Sequence, residues 1–213
     1  MSESENLNIP KIIMQTSVHK QPEYIIDIIK SKCPGWDYIH FTDDEIIKYF
    51  QENPIDEFSN ISDIFKSFSK GQHKADLFRY YFLYLNGGIF LDSDAIFEVN
   101  IDEIIENYDN VFIRSFMKHT GFFNGFIVTY KKCPIIYDAL KNAYNTENST
   151  LRHDYFYFCK ELFKAYESNN KGNIKIYEES LNSERNVGFI LNSNKERLLS
   201  HHFSDKKIPN PNV

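Results

Sequence analysis

The stretch HKADLFRYYFLYLNGGIFLDSD, residues 73–94, contains the pattern that decides the fold of this chain. Gly87 and Gly88 stop a helix that comes before them, since glycine adopts the left-handed backbone in which helices end. The apolar run at 89–91 then predicts a strand buried on both faces, as in a parallel sheet covered by helices. The helix itself is predicted by apolar residues at near-helical spacing: Ala75, Leu77, Phe78, Tyr81, Phe82 and Leu85.

Two carboxylates follow that strand, at the edge where open α/β sheets bind ligands. Asp92 and Asp94 are two residues apart, so on an extended chain both point the same way and Ser93 points elsewhere. Carboxylate oxygens are the ligands that Mg²⁺ and Mn²⁺ prefer. The pair therefore predicts a divalent-cation site. The alternative is an ordinary turn, where Asp side chains accept hydrogen bonds from backbone N–H groups.

The predicted helix carries a pair of opposite charges, Asp76 and Arg79, which are three residues apart and share one face. Arginine presents a planar fork of N–H donors, so beside a metal site the pair can bind sugar hydroxyls and phosphate oxygens. A surface ion pair of little energetic weight is the alternative interpretation.

Strand and helix patterns alternate before this stretch, which predicts an α/β fold with a Rossmann-like, mostly parallel sheet flanked by helices. At 213 residues the chain fits a single domain. The polar residues 1–8 are predicted to be a disordered tail, and residues 9–213 to be the domain. The alternating segments are a strand at 9–16, a helix at 22–33, a strand at 36–41 and a helix at 44–51.

Composition excludes several classes of function. The net charge is −6 and no Lys/Arg run exists, which argues against nucleic-acid binding. The three cysteines, Cys33, Cys133 and Cys159, are too far apart for a zinc site and odd in number, which favours a reducing compartment. The acidic start shows no signal peptide, and no apolar run approaches about 18 residues. We therefore expect a cytoplasmic chain with no transmembrane segment.

Residues 74–94 resemble the D-x-D signature of the family 32 glycosyltransferases. That family includes yeast-type α-1,6-mannosyltransferases, bacterial capsular polysaccharide transferases and, more distantly, the clostridial glucosylating toxins. Its pattern, K-A-D-x-x-R-Y-x-x-L-x-x-x-G-G-(I/M)-(Y/F)-x-D-x-D, runs through this stretch without a gap. Phe90 stands where many members have Tyr, so a contact made by that hydroxyl would be missing here.

The resemblance implies a GT-A fold and transfer of a hexose from a UDP- or GDP-linked sugar to a glycan or protein acceptor, with retention of anomeric configuration. It implies Mn²⁺ or Mg²⁺ as cofactor. Asp92, Asp94 and Arg79 would be the catalytic residues, and Asp76, Arg79 and Asp92 would bind the donor. Residues 9–100 would form the nucleotide-sugar-binding half, and residues 101–213 the acceptor-side half.

Two further segments are similar to the donor site of these enzymes. I-P-K-I-I-x-Q at 9–15 resembles the opening signature of the family and implies that Gln15 and Thr16 contact the base; a buried strand with polar ends is the alternative. The segment around Asn124 resembles one in family 8 and family 32 transferases whose Asn reaches the donor sugar. The alternative there is an Asn-Gly turn.

The C-terminal segment, HHFS at 201–204, resembles the end of the family pattern, although the final Trp and the Gly of that pattern are absent. The resemblance implies that His201 or His202 completes the metal site and that Ser204 contacts the pyrophosphate. The pattern does not choose between the two histidines, and solvent-exposed His in a tail is the alternative.

Two other functions are consistent with the same residues. A phosphatase of the haloacid dehalogenase type also has an apolar strand followed by D-x-D, here Asp92 and Asp94, but usually in its first strand. A nucleotide-sugar-binding module without turnover would keep the fold, but the intact acidic and basic residues argue against it.

Overall fold

The computed structural model describes residues 8–117, 121–182, 187–203 and 208–210. Within them, the first strands and helices alternate, three α-helices then follow one another before the third strand, and the last three elements are strands. The strands are β1 (Ile12–Thr16), β2 (Asp37–Phe41), β3 (Gly88–Leu91), β4 (Ala95–Phe97), β5 (Asn110–Arg114), β6 (Phe126–Thr129), β7 (Ile174–Asn182), β8 (Val187–Leu191) and β9 (Arg197–His202). The α-helices are α1 (Glu23–Lys32), α2 (Asp43–Glu52), α3 (Ile61–Ser67), α4 (Gly71–Asn86), α5 (Ile101–Ile105), α6 (Pro134–Asn145), α7 (Asn148–His153) and α8 (Tyr157–Asn169).

The described strands form one sheet in the order β2-β1-β3-β6-β5-β7-β8-β9-β4. Apolar side chains leave it alternately on the two sides, because successive strand residues point to opposite faces. Met14 and Phe90 pack on the side covered by α2, α3, α4, α6 and α8. Ile13 and Ile89 pack on the other side, with α1 and α5. The prediction that β3 is buried on both faces is therefore confirmed.

The predicted α/β class, with helices on both sides of the sheet, is confirmed, but the sheet is mixed rather than mostly parallel. Three strand pairings between described residues are parallel and five are antiparallel. Parallel neighbours need a long crossover, usually a helix. The β-α alternation supplies such crossovers early in the chain, whereas short connections join β7 to β8 and β8 to β9.

No helix in the described part of the chain is long and apolar enough to cross a membrane.

Candidate active site

A cavity of about 600 Å³ opens at the edge of the sheet where β1 and β3 end. Its volume lies in the range of small-molecule sites. β6 runs antiparallel to β3, so the residues just before β6 reach the same edge. The lining includes Thr16, Ser17, Asp76, Arg79, Asp92, Asp94, Asn124, Glu179, His201 and Phe203. The cavity is therefore where most of the predicted site residues meet.

The two carboxylates of the D-x-D lie on a turn and not on an extended strand. The Ala95 N–H donates to the Asp92 carbonyl at 3.0 Å, and the Asp92 N–H donates to the Gly125 carbonyl at 2.8 Å. Gln15 Nε2 donates to the same Asp92 carbonyl at 2.9 Å. The turn still directs both carboxylates into the cavity, and its backbone is held from two neighbouring strands.

Asp92, Asp94 and His201 offer one ligand atom each, and these three atoms lie within 4.8 Å of one another. His201 comes close because β9 pairs with β4, with His201 opposite Ala95. Its Nε2 lies 3.3 Å from Asp94 Oδ1. Two carboxylates and one imidazole are a donor set that suits Mn²⁺. The residues present fit the predicted cation.

His202 lies outside this cluster. Neighbouring residues of a strand point to opposite faces, and His201 lines the cavity whereas His202 does not. Only the backbone of His202 meets the D-x-D turn, where its N–H donates to the Asp94 carbonyl at 2.8 Å. Of the two predicted histidine ligands, the structure brings His201 to the carboxylates.

Arg79 is buried beneath the cavity floor, with 3% of the residue exposed. Its Nη2 lies 3.4 Å from Asp92 Oδ1, and its Nε lies 3.4 Å from Asp76 Oδ1. Nη1 donates to the Asn124 carbonyl. The guanidinium stacks on the Phe90 ring, 3.9 Å from its centroid. The predicted charge pair is therefore a buried network and not a surface ion pair.

Asn124 joins the same network from the start of β6. Its Nδ2 donates to Asp76 Oδ1 at 2.9 Å and to the Tyr80 hydroxyl at 2.7 Å. Its Oδ1 is buried without a hydrogen-bond partner among the described residues. An unpaired buried acceptor in a cavity wall is suited to a ligand hydroxyl.

The remaining residues predicted to contact the donor are Thr16, Gln15 and Ser204, and the first two do not share one location. Thr16 lines the cavity. Gln15 is fully buried behind it, where its Oε1 accepts from Tyr38 at 2.8 Å and from Gln21 at 3.0 Å. Gln15 therefore supports the D-x-D turn and does not line the cavity. Ser204 lies outside the described residues.

Burial changes the electrostatics of the acidic groups. It raises the pKa of the Asp76 carboxyl, against the opposing influence of Arg79. It likewise raises the pKa of Asp92. Burial by itself lowers the pKa of His201, but the neighbouring Asp94 and Glu179 carboxyl groups and the charge of Asp92 raise it to about 10. Without a cation the His201 ring is therefore an imidazolium at neutral pH, and it would lose its Nε2 proton on binding a metal ion.

Sequence reasoning missed three residues that shape the site. Gln21 holds the turn through a 2.7 Å hydrogen bond to the Ser93 carbonyl. Gly125 leaves room for the site, because a Cβ there would collide with the Asp92 carboxylate and the Phe123 ring. Glu179 lies in the cavity wall on β7. Of these three residues, only Gly125 could have been identified from the sequence, because a glycine at a strand entry indicates close approach of another group.

Residues 20–111 match the family model described as the glycosyltransferase sugar-binding region containing the DXD motif. This segment of the chain is therefore similar to the sugar-binding region of DXD-containing glycosyltransferases. The matched segment includes the α4–β3 stretch and the D-x-D turn.

The chain is similar to inositol phosphoceramide mannosyltransferase 1 of Schizosaccharomyces pombe (strain 972 / ATCC 24843). The two are 29% identical over 122 residues, which are 57% of this chain and 35% of that protein. The alignment thus spans about a third of the length of the relative.

The fold of the chain is similar to that of the solved PaToxG glycosyltransferase, with a TM-score of 0.52 and 17% sequence identity. The similarity covers 75% of this chain and 69% of that one. The predicted GT-A type of fold is confirmed by this likeness.

Proposed function

We propose that this chain transfers a hexose from a nucleotide sugar to a glycan or protein acceptor and that it depends on a divalent cation, Mn²⁺ or Mg²⁺. The observation that carries the proposal is the Asp92–Asp94–His201 cluster in the floor of the cavity. The family match to a DXD sugar-binding region supports a sugar donor.

Asp92, Asp94 and the Nε2 atom of His201 would hold the cation. A bound divalent cation supplies Lewis-acid stabilisation of the charge that develops on a diphosphate leaving group. Arg79 fixes the orientation of Asp92 from behind, and because it is buried we assign it positioning of Asp92 as its main role.

The donor sugar would lie against Asp76 and Asn124. The unpaired Asn124 Oδ1 provides an acceptor for one sugar hydroxyl, and its amide holds the Asp76 carboxyl in place. We place the nucleotide near Thr16, at the end of β1, and we place Ser204 near the pyrophosphate on the basis of the family resemblance. The donor site would then draw on both halves of the domain, since His201 and Asn124 come from the second half.

We further propose that transfer retains the anomeric configuration, as the family resemblance implies. A retaining transfer needs the acceptor hydroxyl on the same side of the sugar as the leaving diphosphate. Phe116, Tyr155 and Phe156, from the half formed by residues 101–213, line the cavity and could contact the acceptor.

The test is a panel of UDP- and GDP-sugars incubated with the chain and Mn²⁺, with release of nucleotide measured. We expect slow metal-dependent hydrolysis of at least one donor, abolished by EDTA. Absence of hydrolysis for every donor, together with absence of nucleotide binding in calorimetry, would contradict the proposal. Hydrolysis of p-nitrophenyl phosphate in place of the donors would instead support the phosphatase alternative.

A further inference from the structure

Glu179 is a buried acidic residue that has no role in the proposed sugar transfer. Its side chain has 2% of its surface exposed and lies in the wall of the cavity. One oxygen, Oε2, accepts from the Phe116 N–H at 3.2 Å and from the Ser115 hydroxyl at 3.4 Å. These two contacts fix the carboxyl group and direct its other oxygen.

The other oxygen, Oε1, faces His201. It lies 3.7 Å from His201 Nδ1, on the opposite side of the ring from Nε2 and Asp94. Both Oε1 and Nδ1 are buried without a hydrogen-bond partner among the described residues. The two atoms are a donor and an acceptor, and their separation is within an ångström of hydrogen-bond distance. We therefore expect them to form a hydrogen bond with each other.

The neighbouring strand leaves space for this approach. Gly188 lies opposite His201 in the pairing of β8 with β9. A Cβ at Gly188 would come within 3.0 Å of Glu179 Oε1 and 3.4 Å of the Phe203 ring. The glycine therefore permits the Glu179 carboxyl group to reach the His201 ring. Phe123 and Phe203 hold that ring from its sides, with centroids at 4.7 Å and 4.3 Å.

We propose that Glu179 is a positioning residue for the metal site: it accepts the hydrogen of His201 Nδ1 and so presents Nε2 to a divalent cation shared with Asp92 and Asp94. This inference rests on the metal dependence of the proposed function. Histidine ligands in metalloproteins commonly donate their second N–H to a carboxylate, which sets the tautomer and the ring orientation.

The test compares the affinity of the full chain for Mn²⁺ alone, measured by calorimetry or by electron paramagnetic resonance of free Mn²⁺. Glu179→Gln keeps the shape of the side chain but has a single oxygen. That oxygen can accept from the Phe116 N–H or from the His201 Nδ1–H, and not from both. We expect the Glu179→Gln variant to bind Mn²⁺ about 10–100-fold more weakly. Glu178→Gln is the matched control, because Glu178 is exposed on the same strand, and its affinity should stay within about twofold.

A double-mutant cycle separates positioning from a general structural role. If Glu179 acts through His201, then Glu179→Gln should add less than about twofold to the loss already caused by His201→Ala. An equal loss in both backgrounds would overturn the proposal, as would an unchanged affinity of the Glu179→Gln variant. Thermal unfolding identifies a variant that does not fold. In that event Glu179→Asp, which keeps a carboxyl group farther from the ring, is judged by the same criteria.

The outcomes distinguish this inference from the proposed function. Weaker Mn²⁺ binding by the Glu179→Gln variant without cleavage of any donor by the unmodified chain would retain the role of Glu179 and contradict the transferase activity. Cleavage of a donor with unchanged Mn²⁺ affinity of the variant would do the reverse. Absence of Mn²⁺ binding by the unmodified chain would overturn both.

Discussion

Arg79 shows how a charged residue can be central to a site and still be inaccessible to solvent. Its N–H groups are directed to Asp76, Asp92 and the Asn124 carbonyl, and the Phe90 ring lies under its guanidinium plane. Phe90 is fully buried. A hydroxyl at that position would need a partner in an apolar layer, so phenylalanine suits the stacking surface on which Arg79 rests.

The proposed metal site depends most directly on Asp94. We expect Asp94→Ala to abolish Mn²⁺-dependent nucleotide binding, because it removes one of the three ligands and the partner of His201 Nε2. Calorimetric titration of UDP and GDP in the presence of Mn²⁺ measures the effect. Asp63→Ala, at an exposed position on α3, is the control. Unchanged nucleotide binding by the Asp94→Ala variant would show that the metal is held elsewhere.

The two neighbouring histidines should respond differently to substitution. His201→Ala removes a ligand nitrogen, so we expect Mn²⁺ affinity to fall by at least about tenfold. His202→Ala should leave that affinity nearly unchanged, since only the His202 backbone meets the D-x-D turn. Equilibrium Mn²⁺ binding measures both variants, and a larger loss for His202→Ala would reverse the assignment.

At the scale of elements, the junction of α4 and β3 brings the helix network and the D-x-D turn together. Gly87 and Gly88 have φ values of 71° and 98°, which other residues rarely adopt. A Cβ at Gly88 would also lie 2.7 Å from the Ile12 carbonyl oxygen on β1. The double glycine therefore allows β3 to pair closely with β1 directly after the helix ends.

Substitution of Gly88 should test both the need for a positive φ and the need for space beside Ile12. We expect Gly88→Ala to lower the free energy of unfolding by at least about 3 kcal/mol, the sum of backbone strain and displaced neighbours. Gly35→Ala is the matched control, because Gly35 has a similar φ of 79° but no atom within 4 Å of its added Cβ. Gly35→Ala should lower the free energy of unfolding by about 1 kcal/mol. Urea denaturation measures both, and equal losses would show that the close approach to Ile12 is unimportant.

At the scale of the whole molecule, one sheet joins the two halves of the sequence. β3 from the first half pairs with β6 from the second, and β4 pairs with β9. The cluster of Asp92, Asp94 and His201 forms only because of the second pairing. Folding of the domain and formation of the site are therefore the same event.

This pairing predicts that residues 1–100 do not fold alone. β3 and β4 would each lose an antiparallel partner, and buried residues such as Phe90 and Leu91 would be exposed to water. Circular dichroism should show no cooperative thermal transition for this fragment, whereas the full chain should unfold in one transition. A cooperative transition in the fragment would indicate an independent first half.

Elements set by local pattern were the most predictable. The helix stop at Gly87 and the buried strand after it follow from backbone conformation and apolar pattern, which depend on near neighbours in sequence. The boundary between α7 and α8, which lies farther along the chain, has Asp154 between the two helices, where it accepts from the Phe156 N–H.

By itself, the sequence determined the α4–Gly-Gly–β3 unit, the D-x-D that follows it and the resemblance to glycosyltransferases, because each depends on residues close together in the chain. Only the tertiary structure decided the mixed direction of the sheet, the place of Gln15 behind the turn, and the choice of His201 over His202. Those outcomes depend on which strands become neighbours and which face of a strand meets the cavity. Such contacts join residues as distant as Asp94 and His201, whose separation along the chain carries no local signal.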